Sequence, residues 1–398
     1  MGRRGIAVAL GLALALALTG CHKDDAPTAT PAPTTTAPAA PLRLAITPAN
    51  KAANQPASTE IGIRLSGGTV ADVRLTGPGG PVTGTMRDDG TSWVPARPLR
   101  FGATYTAAVT ATGADGRTET ARTTFTTMSQ PYRLTGTGMY LFSGQTYGVA
   151  MPVVLEFDPP VPDRAKAAVQ RRLFVHSEPP QPGVWHWEGN SQVFYRPPRY
   201  WRPGTVLTVR AALGGQPMGG GYYGDQDRAA TVRIGPKVLL DIDNATKQMK
   251  VMFGDQLIKT MPVSLGKPST PSSSGHMVIM SREEQTVFDT TREGPDGYRV
   301  DISYAERITW GGEFIHAAPW SVGDQGVRNV SHGCVNLSWD NAKWLFSITH
   351  VGDPVIVKGT EAQLVQGNGW TAWNQPWAQY IKGSALPVPP ELASLSGP

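Results

Sequence analysis

Cysteine is nearly missing from this chain: Cys21 and Cys334 are the only two in 398 residues, too few for a disulfide framework. Charge is sparse as well, with 17% Asp, Glu, Lys and Arg. No Lys/Arg cluster is interleaved with aromatics, so the footprint of a nucleic-acid binder is absent. The long apolar run near the N-terminus, residues 6–18, is too short to span a bilayer comfortably. Nor does any short His/Cys/Asp pair show the spacing of a zinc site. What abounds is glycine (45) and proline (35), a composition that favours short strands joined by turns over long surface helices. The length implies roughly two to four domains. A net charge of +5 suits anionic surroundings such as lipid head groups or envelope polymers.

Residues 1–20 carry Arg3 and Arg4, then the apolar run, then small residues, the layout of a secretory signal. Leu18-Thr19-Gly20-Cys21 resembles a bacterial lipobox. That resemblance implies cleavage before Cys21, acylation of that cysteine, and anchorage to the outer face of the cytoplasmic membrane, facing the cell wall. Residues 21–42 are mostly Ala, Pro and Thr and read as an extended tether. With Cys21 consumed in export, Cys334 remains as a lone thiol, a candidate nucleophile.

Residues 43–128 contain alternating strand-like runs at 60–65, 72–76 and 104–109, separated by Gly, Pro and Asp turns. This pattern predicts an all-β sandwich. Residues 129–235 repeat part of it: Trp93-Val94-Pro95 and the 101–106 run find echoes in Phe194-Tyr195-Arg196 and the 203–209 run. Two copies of one unit are the economical reading, and both resemble bacterial immunoglobulin-like modules. Trp185, Trp187, Tyr200 and Trp201 are expected to pack internally rather than to bind glycan.

Residues 236–360 change texture. A hairpin is predicted around 243–246, with a third strand at 257–264, and residues 281–303 read as a polar, turn-prone cover over a cleft. Residues 314–316 predict a strand end that delivers His316, and 339–346 a helix capped by Ser338. Residues 361–398 place Trp370, Trp373, Trp377 and Tyr380 in an aromatic row, expected to pack on the preceding domain.

Ser331-His332-Gly333-Cys334-Val335-Asn336 is the most informative stretch. A thiol reacts as thiolate, so it needs a base and amide donors for developing negative charge. Amides at 333 and 334 are the expected donors. Together with His316-Ala317-Ala318-Pro319-Trp320, the motif resembles the L,D-transpeptidase catalytic domain, also called YkuD-like. The fold this implies is mainly β: two tandem immunoglobulin-like sandwiches, then a β-rich YkuD-like domain with a short helix and a Trp-rich extension.

Carried over, the resemblance makes Cys334 the nucleophile and His316 the general base, its ring oriented by the Ala317 carbonyl. His332 would shape the site and Gly333 would contribute to the oxyanion hole, with the Tyr298 hydroxyl as a further donor. Ser331, Asn336 and Trp320 would flank the substrate. The implied reaction is two-step acyl transfer: Cys334 displaces D-Ala from a peptidoglycan stem tetrapeptide, and a neighbouring stem's amine resolves the thioester into a 3→3 cross-link. Water or a protein lysine as acceptor is the nearest alternative, and carbapenem β-lactams are the implied inhibitors. No cofactor is implied. A metal site at His316, His332 and Cys334 lacks a completing ligand, and a non-enzymatic adhesin gives no reason for the histidine and the thiol motif to coexist.

Overall fold

The computed structural model describes residues 41–289, 291 and 299–395; the signal, Cys21 and Tyr298 lie outside them. The N-terminal part is a sandwich. One sheet joins Arg43–Thr47, Ile61–Ser66, Ser92–Pro95 and Gly84–Met86, and the other is built on Gly68–Gly77, Thr104–Gly113 and Thr118–Thr127. Alternation sends one face of each sheet inward, so Ile61 and Trp93 meet Leu75, Tyr105, Val109 and Phe125 in a common core.

A second pair of sheets follows, built on Val153–Asp158, Val184–Glu188 and Gln192–Arg196 in one and on Leu173–Glu178, Val206–Ala211 and Arg228–Ile234 in the other. The sequence repeat has a structural counterpart. Gly102 and Gly204 both take positive φ (63° and 85°), and both donate their N–H at 2.8 Å to a carbonyl in or just beyond their sandwich's last strand, those of Met128 and Ile234. Between the sandwiches, the Glu60 carboxylate takes Arg87 Nε at 2.8 Å and also pairs with Arg172. Burial opposes ionisation there, but these bonds and charges hold the carboxyl down at about 2.

The third part carries the site, and its elements are labelled here: β1 (Val238–Asp243), β2 (Gln248–Phe253), β3 (Gln256–Pro262), β4 (Ser273–Val278), β5 (Ser281–Asp289), β6 (Arg299–Arg307), β7 (Phe314–Ala317), β8 (Val335–Leu337), α1 (Trp339–Ile348) and β9 (Pro354–Lys358). One sheet runs β3-β2-β1-β9-β4 and ends on a short strand, Ala362–Gln363; the other runs β5-β6-β7-β8. Asp243 caps the β1–β2 turn by accepting Ala245 N–H at 2.7 Å. Ser338 caps α1 by accepting Asn341 N–H at 3.3 Å. Leu240, Met249 and Val355 from the first sheet and Ile315, Val335 and Leu337 from the second share one buried core with Leu345 of α1.

Two expectations change. Of residues 281–303, read as a polar cover, 290 and 292–298 lie outside the described residues and the rest are mostly ladder: β5 pairs β6 in antiparallel register from Ser281↔Arg307 to Asp289↔Arg299. The strands read as loop because much of β5 is solvent-facing and carries polar side chains. The aromatic tail, expected on the catalytic domain, packs mostly into the second sandwich. Trp370, Trp373, Trp377 and Tyr380 join its core, touching the catalytic domain's Val278 and Met280. The cause is Arg196, which is 1% exposed and donates to the Ala372 and Gln375 carbonyls at 3.0 and 2.9 Å. Its guanidinium also lies 4.3 Å from the Trp373 ring and 4.2 Å from that of Tyr380. Trp185, Trp187 and Trp201 are buried, and Tyr200 bonds to His276 of the catalytic domain.

Candidate active site

Strand alternation positions the histidine. Ile315 and Ala317 point into the core, so the intervening His316 faces the other side, onto a cavity of about 430 Å³. Parallel pairing of β7 with β8 sets His316 opposite Asn336, which brings Cys334 to the same cavity. Gly333, just before the thiol, has φ of 123°, a conformation in which a side chain would be strained.

The loop is held by serines. Ser331 Oγ donates to the Cys334 carbonyl at 2.6 Å and accepts the Gly333 N–H at 3.2 Å. Ser272 Oγ donates to the Gly333 carbonyl at 2.7 Å, and itself accepts Gly266 N–H at 2.9 Å. Because a trans peptide sets C=O and N–H on opposite edges, Ser272 fixes the Cys334 N–H to point away from it. The two expected oxyanion donors are therefore not equivalent: the Gly333 amide is engaged by Ser331, and the Cys334 amide is the one its neighbours aim.

His316 Nδ1 lies 2.8 Å from the Ala317 carbonyl. A carbonyl only accepts, so Nδ1 carries the proton and Nε2 is the basic nitrogen. Burial pushes the imidazole below its ordinary range, partly opposed by that bond, which keeps the ring neutral and able to take a proton near neutral pH.

The thiol is 6% exposed, and burial pushes it up to about 12. The Phe314 N–H pulls the other way, the Glu313 carboxylate raises it further, and Arg307 lowers it. Its hydrogen bond goes to the Gly312 carbonyl at 3.7 Å. In this arrangement the sulfur is held by the backbone on both sides of residue 313, and its hydrogen bond goes to Gly312 and not to His316.

Trp320, 59% exposed, lies with its ring 6.0 Å from that of His316 at the cavity mouth. Asn336 Nδ2 donates to Ser321 Oγ at 3.1 Å, tying the thiol loop to the turn after His316. His332 is exposed and its Nε2 lies 3.0 Å from Lys267 Nζ, so it lies at the rim while Cys334 lies inside. Sequence reasoning missed the apolar wall of Phe288, Val300 and Ile302, although alternation of 300 and 302 along β6 was there to be read. It also missed Ser272 and Glu313, which no local pattern marks.

A buried thiol and a neutral imidazole thus line one largely apolar cleft. A model of the L,D-transpeptidase catalytic domain matches residues 237–357, and one of a bacterial Ig domain matches 52–217. L,D-transpeptidase 2 of Mycobacterium tuberculosis (strain CDC 1551 / Oshkosh) is 35% identical over 332 residues, covering 82% of this chain and 80% of that protein. L,D-transpeptidase 5 of Mycobacterium tuberculosis (strain ATCC 25618 / H37Rv) is 34% identical over 360 residues, with 88% and 79% covered. A solved LD transpeptidase in complex with imipenem is 35% identical, covers 57% of this chain and all of its own, and superposes with a TM-score of 0.48. The chain belongs to the L,D-transpeptidase family. It is an enzyme of that class, built as immunoglobulin-like domains ahead of the catalytic domain, and its chemistry is peptidoglycan cross-linking.

Proposed function

We propose that this enzyme forms 3→3 cross-links through a thioester on Cys334, with His316 as general base. The observation that carries the reading is the pair of a buried thiol and a neutral imidazole on one cavity. The stem carbonyl enters beside Cys334, the sulfur rotates off Gly312, and its proton passes to His316 Nε2 as the C–S bond forms. The Cys334 N–H receives the oxyanion. His316 then returns the proton to the departing D-Ala amine. The apolar wall of Phe288, Val300 and Ile302 disfavours water at the thioester, which supports an amine over hydrolysis. Incubation with a stem tetrapeptide should release D-Ala and give a dimer of matching mass; D-Ala without dimer would make it a carboxypeptidase.

The same thiol is expected to open β-lactams, carbapenems among them, because ring opening leaves an acyl group on sulfur and no departing fragment. The lipobox-like stretch ending in Cys21, followed by the Ala/Pro/Thr tether, supports a lipid-anchored enzyme on the outer face of the cytoplasmic membrane. Labelling with a palmitate analogue, lost in Cys21→Ala, tests that placement.

A further inference from the structure

We propose that Thr309 is a positioning residue for the nucleophile: its buried hydroxyl aims the Gly312 carbonyl at Cys334 and so latches the idle thiol in its protonated form. The inference rests on the reading of Cys334 as the nucleophile.

The two peptide groups that flank residue 313 meet the sulfur, and each is fixed from its far edge. Thr309 Oγ, 0% exposed, accepts the Glu313 N–H at 3.1 Å. In a trans peptide the carbonyl points the other way, and that of Gly312 reaches the Cys334 sulfur at 3.7 Å. The Ile308 N–H donates to the Glu313 carbonyl at 2.9 Å, which by the same geometry turns the Phe314 N–H toward the thiol. Neighbours outside the turn anchor it as well. Ser273 Oγ donates to the Glu313 carboxylate at 2.7 Å, and Asn368 Oδ1 accepts the Gly311 N–H at 2.7 Å.

The two near edges act in opposite directions. A carbonyl only accepts, so it bonds the S–H and repels the thiolate, whereas an N–H does the reverse. While the carbonyl stays aimed, the sulfur keeps its proton; displacing that carbonyl favours the anion. Gly312 also couples this latch to the cleft. Its φ is 89°, and a Cβ there would lie 3.3 Å from the Phe288 ring, so the aromatic edge rests where a side chain would be. Phe288 and Cys334 line the same cavity. A stem that fills the cleft presses on this ring and through it on Gly312, so the latch opens when a donor is present to be attacked.

The test uses the full chain carrying Cys21→Ala, which leaves Cys334 as its only thiol, and reads the S–H stretch by infrared spectroscopy without substrate. The parent should show the lowered frequency of a hydrogen-bonded S–H. In Thr309→Val the frequency should rise, and alkylation by iodoacetamide at neutral pH should quicken about threefold or more. Thr309→Ser, which keeps the hydroxyl, should restore both. Phe288→Ala should move the frequency the same way, and it carries the comparison should Thr309→Val not fold. Val300→Ala opens the same wall away from Gly312 and should leave the frequency in place. An unmoved frequency in both Thr309→Val and Phe288→Ala, even with faster alkylation, overturns the latch, as does a shift as large in Thr309→Ser as in Thr309→Val. Failure of the wild-type chain to release any D-Ala overturns the function instead, and the substrate-free spectrum still decides the latch.

Discussion

His316 donates its Nδ1–H to the main-chain oxygen of Ala317, its neighbour in the same strand, at 2.8 Å. The orienting group is thus backbone, and the side chain at 317 is free to vary as far as catalysis is concerned. Ala317 is, however, 1% exposed. Ala317→Ser should therefore leave the rate of D-Ala release within about twofold while lowering stability by about 1–3 kcal/mol for an unpartnered buried hydroxyl. Parallel rate assays and thermal melts separate the two effects.

Removing the imidazole is a different matter. His316→Gln keeps a hydrogen-bonding side chain of similar reach but supplies no base, and D-Ala release should fall by about 10²–10⁴. The thermal midpoint should move far less than the rate. A variant retaining a tenth or more of the wild-type rate would show that the thiol is ionised by some other group.

Glu306 on β6 is 1% exposed and bonded to Arg282 at 3.3 Å and to Thr349. Burial nevertheless pushes its carboxyl up to about 7. The folded chain thus holds this proton more tightly than the unfolded chain does. The resulting stabilisation is fully present below about pH 4.5 and is lost as the pH rises toward 7, on the order of 3 kcal/mol across that window. Glu306→Gln should flatten this part of the pH–stability curve. Denaturant melts of both proteins at pH 4.5 and 7.5 measure the difference, which should shrink by that order.

Arg196 ties the second sandwich to the tail with two carbonyl bonds and three aromatic faces, and it lacks a carboxylate partner among the described residues. Arg196→Ala leaves a cavity and unpartnered carbonyls, so it should destabilise by about 3 kcal/mol or more. Loosening of Trp373 and Trp377 should red-shift tryptophan emission before the catalytic rate at low temperature changes.

That His316 and Cys334 share one cavity was legible because it is written in residue type and order. A histidine at a strand end and a cysteine after glycine need only strand alternation and one parallel pairing to meet. The β5–β6 hairpin was hidden by its polar outer face. Ser272, which braces Gly333 from 61 positions away, has no local signature, because a serine in a Ser/Thr/Pro-rich run looks like any loop residue. Glu313 was passed over for the same reason: its partner is Ser273, 40 positions earlier, which only the folded chain brings beside it. The tail's aromatic row was visible, but its partner Arg196 lies 177 positions before Trp373 and reads in sequence as an ordinary strand-end cation.

The buried Cys334 sulfur is the atom that acylation should mark. Intact-protein mass spectrometry after incubation with a carbapenem tests it most directly. The wild-type chain should gain the mass of one whole drug molecule, mapped to the peptide containing Cys334, and Cys334→Ala should gain none. An adduct that persists in Cys334→Ala, or a folded wild-type chain that stays unmodified at millimolar drug, would contradict the account.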